Sequence, residues 1–234
     1  MRGEANIATV AALIGDPARA GILTALADGR ALPAGELATS AGLSPSAAST
    51  HLTKLLEGGL LALECQGRHR YYRLAGSGIA DALESLALIA GRPSRAAVVR
   101  SPQVEALRYA RCCYDHLAGE LGVRIAVTLE NRGLIASIEP GKRVDVTLAG
   151  VAWFEAVFGF DVRNLKPGRH GLACRCLDWT ERRYHLAGPL GTRLLQRYFE
   201  LGWLRRTPQS RAVRLTQKGR DSLQAQLGIG SPAS

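Results

Sequence analysis

Cysteine and histidine recur together twice in this chain: Cys112-Cys113 just before His116, and Cys174-Arg175-Cys176 before His185. Thiolate sulfur and imidazole nitrogen ligate soft and borderline metals, and an activated thiol is also what oxidants and electrophiles attack. Cys112 and His116 are spaced as one helical turn, at which both could hold one ion, with Cys113 beside them. Around Cys176 stand Asp178, Trp179, Glu181 and His185, a polar set for a core segment. Residue types alone leave three readings open. One is a soft-metal or metalloid site closed by thiolates from both segments. Another is a redox or electrophile switch. The last is small buried cysteines, with each histidine hydrogen-bonding at a helix start. No C-X2-C spacing occurs, which weakens a structural zinc reading. A fourth use of this region is a pocket for an organic effector lined by Trp153, Phe154, Trp179 and Trp203. A Cys/His nucleophile and base would be the enzymatic use, but no phosphate loop, paired-carboxylate site or nucleophile elbow accompanies them. An enzyme is therefore not expected.

A different chemistry is written between residues 44 and 73. Ser44-Pro45 is an N-cap followed by a proline suited to the first helical turn, and Gly58-Gly59 ends the helix. Leu52, Leu55 and Leu56 line one face of that helix; Ser46, Ser49, Thr50 and Thr53 line the other. A face of short hydroxyls lets a helix enter a major groove and bond to base edges and phosphates. Two strand-like runs follow, Leu60–Cys65 and Arg70–Leu74, and Gln66-Gly67-Arg68-His69 turns between them with a basic tip suited to phosphate.

Upstream, Asp16-Pro17 opens a helix carrying Ile22, Leu23 and Leu26, and a second short helix begins near Pro33, buries Leu37 and ends at Gly42. The order helix, helix, Gly turn, hydroxyl-faced helix and basic hairpin is far more specific than any single piece.

Gly15-Asp16-Pro17-Ala18-Arg19, Ile22–Leu26, Glu36-Leu37-Ala38, Gly42-Leu43-Ser44, Ser49-Thr50-His51-Leu52, Gly59-Leu60-Leu61, Gly67-Arg68 and Tyr71-Tyr72 resemble the ArsR/SmtB family of winged-helix repressors over residues 7 to 90. The resemblance implies a homodimer that binds an inverted repeat of double-stranded DNA and leaves it when an inducer binds. It implies that Ser46, Ser49, Thr50 and Lys54 face the groove and that Arg68 and Arg70 face the flanking backbone. Ser44, His51, Thr53 and His69 complete the candidate DNA contacts. Pro45 stands where the family often has a longer polar side chain, which reduces direct base readout. The family's usual metal sites are absent: Glu36–Ser40 has no cysteine pair, and the helix Ile79–Ile89 has Asp81 and Glu84 but no histidine. That helix carries an apolar stripe of Ile79, Leu83, Leu86 and Ile89, expected at a dimer interface.

Residues 91–102, beginning Gly91-Arg92-Pro93, are expected to be a linker. In residues 103–225 an internal repeat aligns 116–150 with 185–219 without gaps, from His116-Leu117-Ala118-Gly119 against His185-Leu186-Ala187-Gly188 to Gly150 against Gly219. Each copy reads as a degenerate winged helix, with a helix, a glycine, an apolar pair, a hairpin and a Thr placed to cap a further helix. The expected architecture is mainly α with small β-hairpins, an α+β fold. Residues 1–90 form a DNA-binding and dimerisation domain, 103–225 an effector-sensing domain of two repeats, and 226–234 a flexible tail.

The chain has 234 residues and a formal net charge of +10. Residues 1–90 hold 7 Lys+Arg against 8 Asp+Glu, and the remainder holds 23 against 12, so the basic excess lies outside the expected DNA reader. Arg205, Arg206, Arg211 and Arg214 in the last hairpin are candidate auxiliary phosphate contacts. The basic second half keeps a non-specific architectural DNA binder as a rival. Met1-Arg2-Gly3-Glu4 is not a secretory signal, and Val144–Phe160 carries Asp145 and Glu155, short of a membrane span. A cytoplasmic protein with reduced thiols and no membrane partner is expected.

Overall fold

The computed structural model describes residues 6–67, 69–90 and 102–230. The chain separates into two compact units at Leu83/Glu84.

The first unit runs α1 (Ile7–Ile14), α2 (Pro17–Ala25), β1 (Leu32–Pro33), α3 (Ala34–Ala41), α4 (Pro45–Glu57), β2 (Leu61–Gln66) and β3 (His69–Leu74), and then enters α5 (Ser77–Ala90). Its local signals are those of the sequence. The Asp16 carboxylate accepts from the Arg19 amide at the start of α2, and the Ser44 hydroxyl accepts from Ala47 at the start of α4. Ile22, Leu23, Leu26, Leu37, Leu52 and Leu55 are buried as the common core of α2, α3 and α4. The hairpin β2–β3 turns through two residues, since Gln66 pairs with His69, and β1 adds on the far side of β3. This is a winged helix-turn-helix. Helix α1, capped by Asn6, whose side-chain oxygen accepts from the Thr9 amide at 3.2 Å, was not expected, and it buries none of its eight residues.

The second unit begins inside α5, seven residues before the expected boundary at residue 90. Glu84 is buried there and ion-paired with Arg211 at 3.3 Å, which fixes it to the second unit's core. Residues 91–101 of the expected linker lie outside the described residues, and Pro102 already opens α6 (Pro102–Tyr109). Then come β4 (Arg111–Cys113), β5 (His116–Ala118), α7 (Gly119–Asn131), β6 (Ile135–Ser137), β7 (Arg143–Val146) and α8 (Leu148–Phe158). The same succession follows as β8 (Ala173–Leu177), β9 (Tyr184–Ala187), α9 (Gly188–Glu200), β10 (Leu204–Arg206), β11 (Val213–Leu215) and α10 (Gln217–Leu227). Each repeat is thus hairpin, helix, hairpin, helix.

The repeated residues have matching jobs. The hydroxyls of Thr147 and Thr216 each accept from the third residue of the next helix at 3.0 Å and donate to Gly133 and Gly202 at 2.7 Å. A Cβ on Gly150 would overlap the Leu134 carbonyl oxygen, and one on Gly219 the Trp203 oxygen, so only glycine lets each last helix touch the turn before it. A Cβ on Gly122 or on Gly191 would fall 2.6 Å from the oxygen of Leu117 or Leu186. Pairing between the repeats is reciprocal. Strand β7 of the first pairs with β8 of the second (Val144 opposite Ala173), while Cys112 N–H donates to Arg211 O and Val213 N–H to Ala110 O, joining β11 to β4. The unit is therefore a fused pseudo-dimer, its hairpins exchanged about an approximate two-fold axis.

Three expectations are corrected. Cys112 and His116 do not lie on a helix: they belong to successive strands of a tight hairpin whose two-residue turn holds Tyr114 at φ 56°. Phe154 and Trp203 are core residues, packed edge-on or stacked with Phe158, Phe160 and Tyr198, and Trp153 packs on the same cluster. A cleft of about 300 Å³ is bordered instead by Glu130, Arg175, Tyr184 and His185, and by none of those aromatics. The tail begins ordered: α10 reaches Leu227, Ile229 is buried, and the Gly230 carbonyl accepts from Arg124 at 2.9 Å. Residues 231–234 of the tail lie outside the described residues.

Candidate functional site

Two constellations could do chemistry. On α4, Ala48, Leu52 and Leu55 are buried, while Ser46, Ser49, Thr50, Thr53 and Lys54 are exposed. The hydroxyls are already committed in part. Thr50 donates to the Ser46 carbonyl at 3.3 Å and Thr53 to that of Ser49 at 3.0 Å, which leaves their oxygen lone pairs to accept from outside. Ser44 is spent on the cap and sits 3.2 Å from the Ser46 hydroxyl. His51 is half-buried with Nδ1 3.7 Å from Asp16, so it leans on the start of α2 rather than outward. At the hairpin tip His69 and Arg70 are exposed, and Arg68 lies outside the described residues.

The last hairpin divides its arginines. Arg206 lies over the Phe199 ring at 4.8 Å and points Nη1 at Cys112 Sγ at 3.8 Å, and Arg211 is held by Glu84. Arg205 and Arg214 face each other across β10–β11, both exposed. Like charges directly opposite on a hairpin oppose its formation unless an anion lies against them.

The second constellation is buried. Strand register places Cys113 opposite His116 and Cys176 opposite His185, one Cys–His pair from the first hairpin of each repeat. Reciprocal pairing brings the two together, so that one ligand atom from each of the four residues lies within 4.8 Å of the others. His116 Nε2 and His185 Nε2 are 3.1 Å apart, their rings stacked at 5.1 Å. Behind each imidazole stands a carboxylate. Asp115 Oδ1 is 3.1 Å from His116 Nδ1, and Asp178 Oδ2 is 3.5 Å from His185 Nδ1, the latter longer than a hydrogen bond.

Asp178 is fully buried and fully engaged. It takes the Arg111 guanidinium at 3.0 Å, the Gly119 amide at 2.7 Å, and the Thr180 hydroxyl and amide on its other oxygen. Burial alone would raise its pKa, but Arg111 and these donors hold the carboxyl well below the usual range. The thiols diverge. A hydrogen bond donated by Cys113 holds the Cys176 thiol far below its ordinary value, against burial and with help from both histidines, while that bond and burial push Cys113 up. Burial disfavours charge on His116, yet Asp115 and Cys176 raise it to about 9.

Of the candidates, Cys113, His116, Cys176 and His185 are brought together. Cys112 joins the hydrophobic core, Cys174 pairs opposite Ala187 outside the tetrad, and Trp179 lies beneath the Arg111 guanidinium at 5.0 Å. Asp115, Asp178 and Arg111 were not singled out as partners. The signal was present as Ala-X-X-Cys-X-Asp, which occurs at 110–115 and again at 173–178. Its offset is 63, whereas the gapless repeat has 69; the second hairpin is six residues longer and hides the match.

A family model described as a helix-turn-helix domain matches residues 14–64. The HTH-type transcriptional regulator YdfF of Bacillus subtilis is 42% identical over 224 residues, covering 96% of this chain and 98% of its own. CmtR of Mycobacterium tuberculosis, another HTH-type regulator, is 41% identical over 83 residues, 36% of this chain and 70% of its own. Among solved structures, the homodimeric winged helix-turn-helix DNA-binding domain of Mb0332 from Mycobacterium bovis is 28% identical, covers 38% of this chain and 90% of that one, and has a TM-score of 0.34. Fold and relatives together define a transcriptional regulator with a DNA-binding helix-turn-helix. The chain belongs to the ArsR-type winged-helix regulators, as a long form that shares nearly its whole length with YdfF.

Proposed function

We propose that this regulator is a homodimeric repressor in the bacterial cytoplasm, which binds an inverted-repeat operator through α4 and the β2–β3 tip and is released by an effector taken up in its second unit. The observation that carries the reading is α4 itself, a helix anchored by Ala48, Leu52 and Leu55 and bare on its hydroxyl face. Apolar surface supports the dimer: α1 is apolar and buries nothing, and in α5 Leu86 is 44% and Ile89 82% exposed. Exposed Arg205 and Arg214 would add phosphate contacts that a net-negative reader lacks.

The test is binding to a palindromic operator fragment and to a scrambled one at matched salt. Separation by at least about a thousandfold is expected of a specific repressor. Equal affinity would establish the architectural rival instead. The double substitution Ser49→Ala with Thr50→Ala should weaken operator binding about tenfold, through lost base contacts, with an unchanged salt slope.

A further inference from the structure

We propose that Cys113, His116, Cys176 and His185 bind one zinc-class divalent cation per chain, and that the ion clasps the two repeats of the second unit together. The inference rests on the geometry of the tetrad and not on the operator reading, so either can fail alone.

Ligand chemistry comes first. Two thiol sulfurs and two imidazole nitrogens form the set on which a borderline-soft d10 ion sits tetrahedrally, with Zn–S about 2.3 Å and Zn–N about 2.0 Å. Those bond lengths require the donors to lie about 3.3–3.8 Å from one another. The observed spread, with all four atoms within 4.8 Å and the two Nε2 atoms at 3.1 Å, needs only small side-chain adjustments to meet it. Three of the four residues are buried and the fourth half-buried, so water does not compete for the donors.

The surroundings are those of a ligand set rather than of a chance cluster. Each histidine turns Nε2 inward and Nδ1 toward a carboxylate: Asp115 bonds His116 at 3.1 Å, an outer-shell contact that fixes the imidazole tautomer and strengthens the donor, while Asp178 stands 3.5 Å behind His185. Two imidazoles meeting nitrogen to nitrogen, with His185 Nδ1 lacking a hydrogen-bond partner, are poorly satisfied by the protein alone. A cation between them relieves both. On binding, the two thiols release their protons to solvent and meet the cation as thiolates.

The clasp follows from topology. Neither repeat owns the site: each gives one cysteine and one histidine from a single hairpin, and the donors converge where the two hairpins meet. With four protein ligands the site is closed, as structural sites are, and no position is left for a substrate.

The test uses the full-length chain, purified with reductant, stripped by chelator and reloaded with zinc. One zinc per chain is expected, with X-ray absorption fitting a first shell of two sulfurs at about 2.3 Å and two nitrogens at about 2.0 Å. Cys112→Ser and Cys174→Ser should keep that stoichiometry, and Cys176→Ser should weaken zinc binding by at least tenfold. Zinc should raise the thermal midpoint of the wild type and not that of Cys176→Ser. Failure of the folded, reduced wild type to retain stoichiometric zinc would overturn the proposal. So would a shell without two sulfurs, zinc that leaves the thermal midpoint unmoved, or a Cys113–Cys176 disulfide forming in preference to the loaded site.

Discussion

Asp178 is the residue on which most of the second unit's polar interior converges. Its two oxygens hold Arg111 from β4, the first amide of α7 and the turn after β8, and stand behind His185. Arg111 is fully buried and its charge is answered chiefly here, with Glu84 4.0 Å away. Asp178→Asn keeps the shape but removes the charge, and should cost about 3 kcal/mol or more, because a buried guanidinium is left under-compensated. Denaturant unfolding with an unchanged m-value is the measurement. The sequence put Asp178 near the candidate site only as one polar residue among several. Its role was hidden because its partner Arg111 lies 67 positions away and is drawn in by strand exchange, which no local pattern reports.

At the scale of elements, the caps and faces of α2, α3 and α4 were readable because each is a local signal: a side chain that accepts an amide, or an apolar stripe at helical spacing. The hairpin carrying Cys113 and His116 was not. Its turn uses Tyr114 in a left-handed conformation where glycine or asparagine would have announced it, and the same spacing mimics one turn of helix. The repeat's glycines were found by identity, and the structure supplies their reason. Gly219→Ala should destabilise the second unit by about 3 kcal/mol, since the added methyl meets a backbone carbonyl that cannot step aside. Thr216→Val, which removes the cap and the hydroxyl's bond to the Gly202 carbonyl, should cost about 2 kcal/mol by the same unfolding assay. On the wing, Arg70→Ala should weaken binding to every DNA sequence alike and reduce the salt slope by about one unit, read from affinities across a salt series.

Across the whole molecule, charge and symmetry are distributed unequally. The reader is nearly neutral and the basic excess is in the second unit, an asymmetry visible in the sequence though its arrangement was not. Of four candidate arginines on the last hairpin, Arg211 is half-buried against Glu84 and Arg206, though exposed, lies over Phe199, which leaves the opposed, exposed pair Arg205 and Arg214 as the better placed for phosphate. If the tetrad is the site at which the effector acts, zinc loading should change operator affinity at least tenfold in the wild type and not in Cys176→Ser. Operator titrations of the stripped and loaded protein decide this. An unmoved affinity with a filled site would leave the ion a purely structural part.

The exchange of hairpins also has a bearing on synthesis. The edge of β4 is completed by backbone from Arg211 and Val213, so the Cys112–Arg211 bond closes a span of 99 positions. At about 5–20 residues per second, the first repeat must wait roughly 5–20 s on the ribosome before its partner strand exists. Throughout that interval it carries an uncovered strand edge, and until His185 is made it also carries half of a ligand set, one cysteine beside one histidine. The nascent chain is therefore exposed to mispairing with neighbouring chains, where an identical first repeat offers the same half-site.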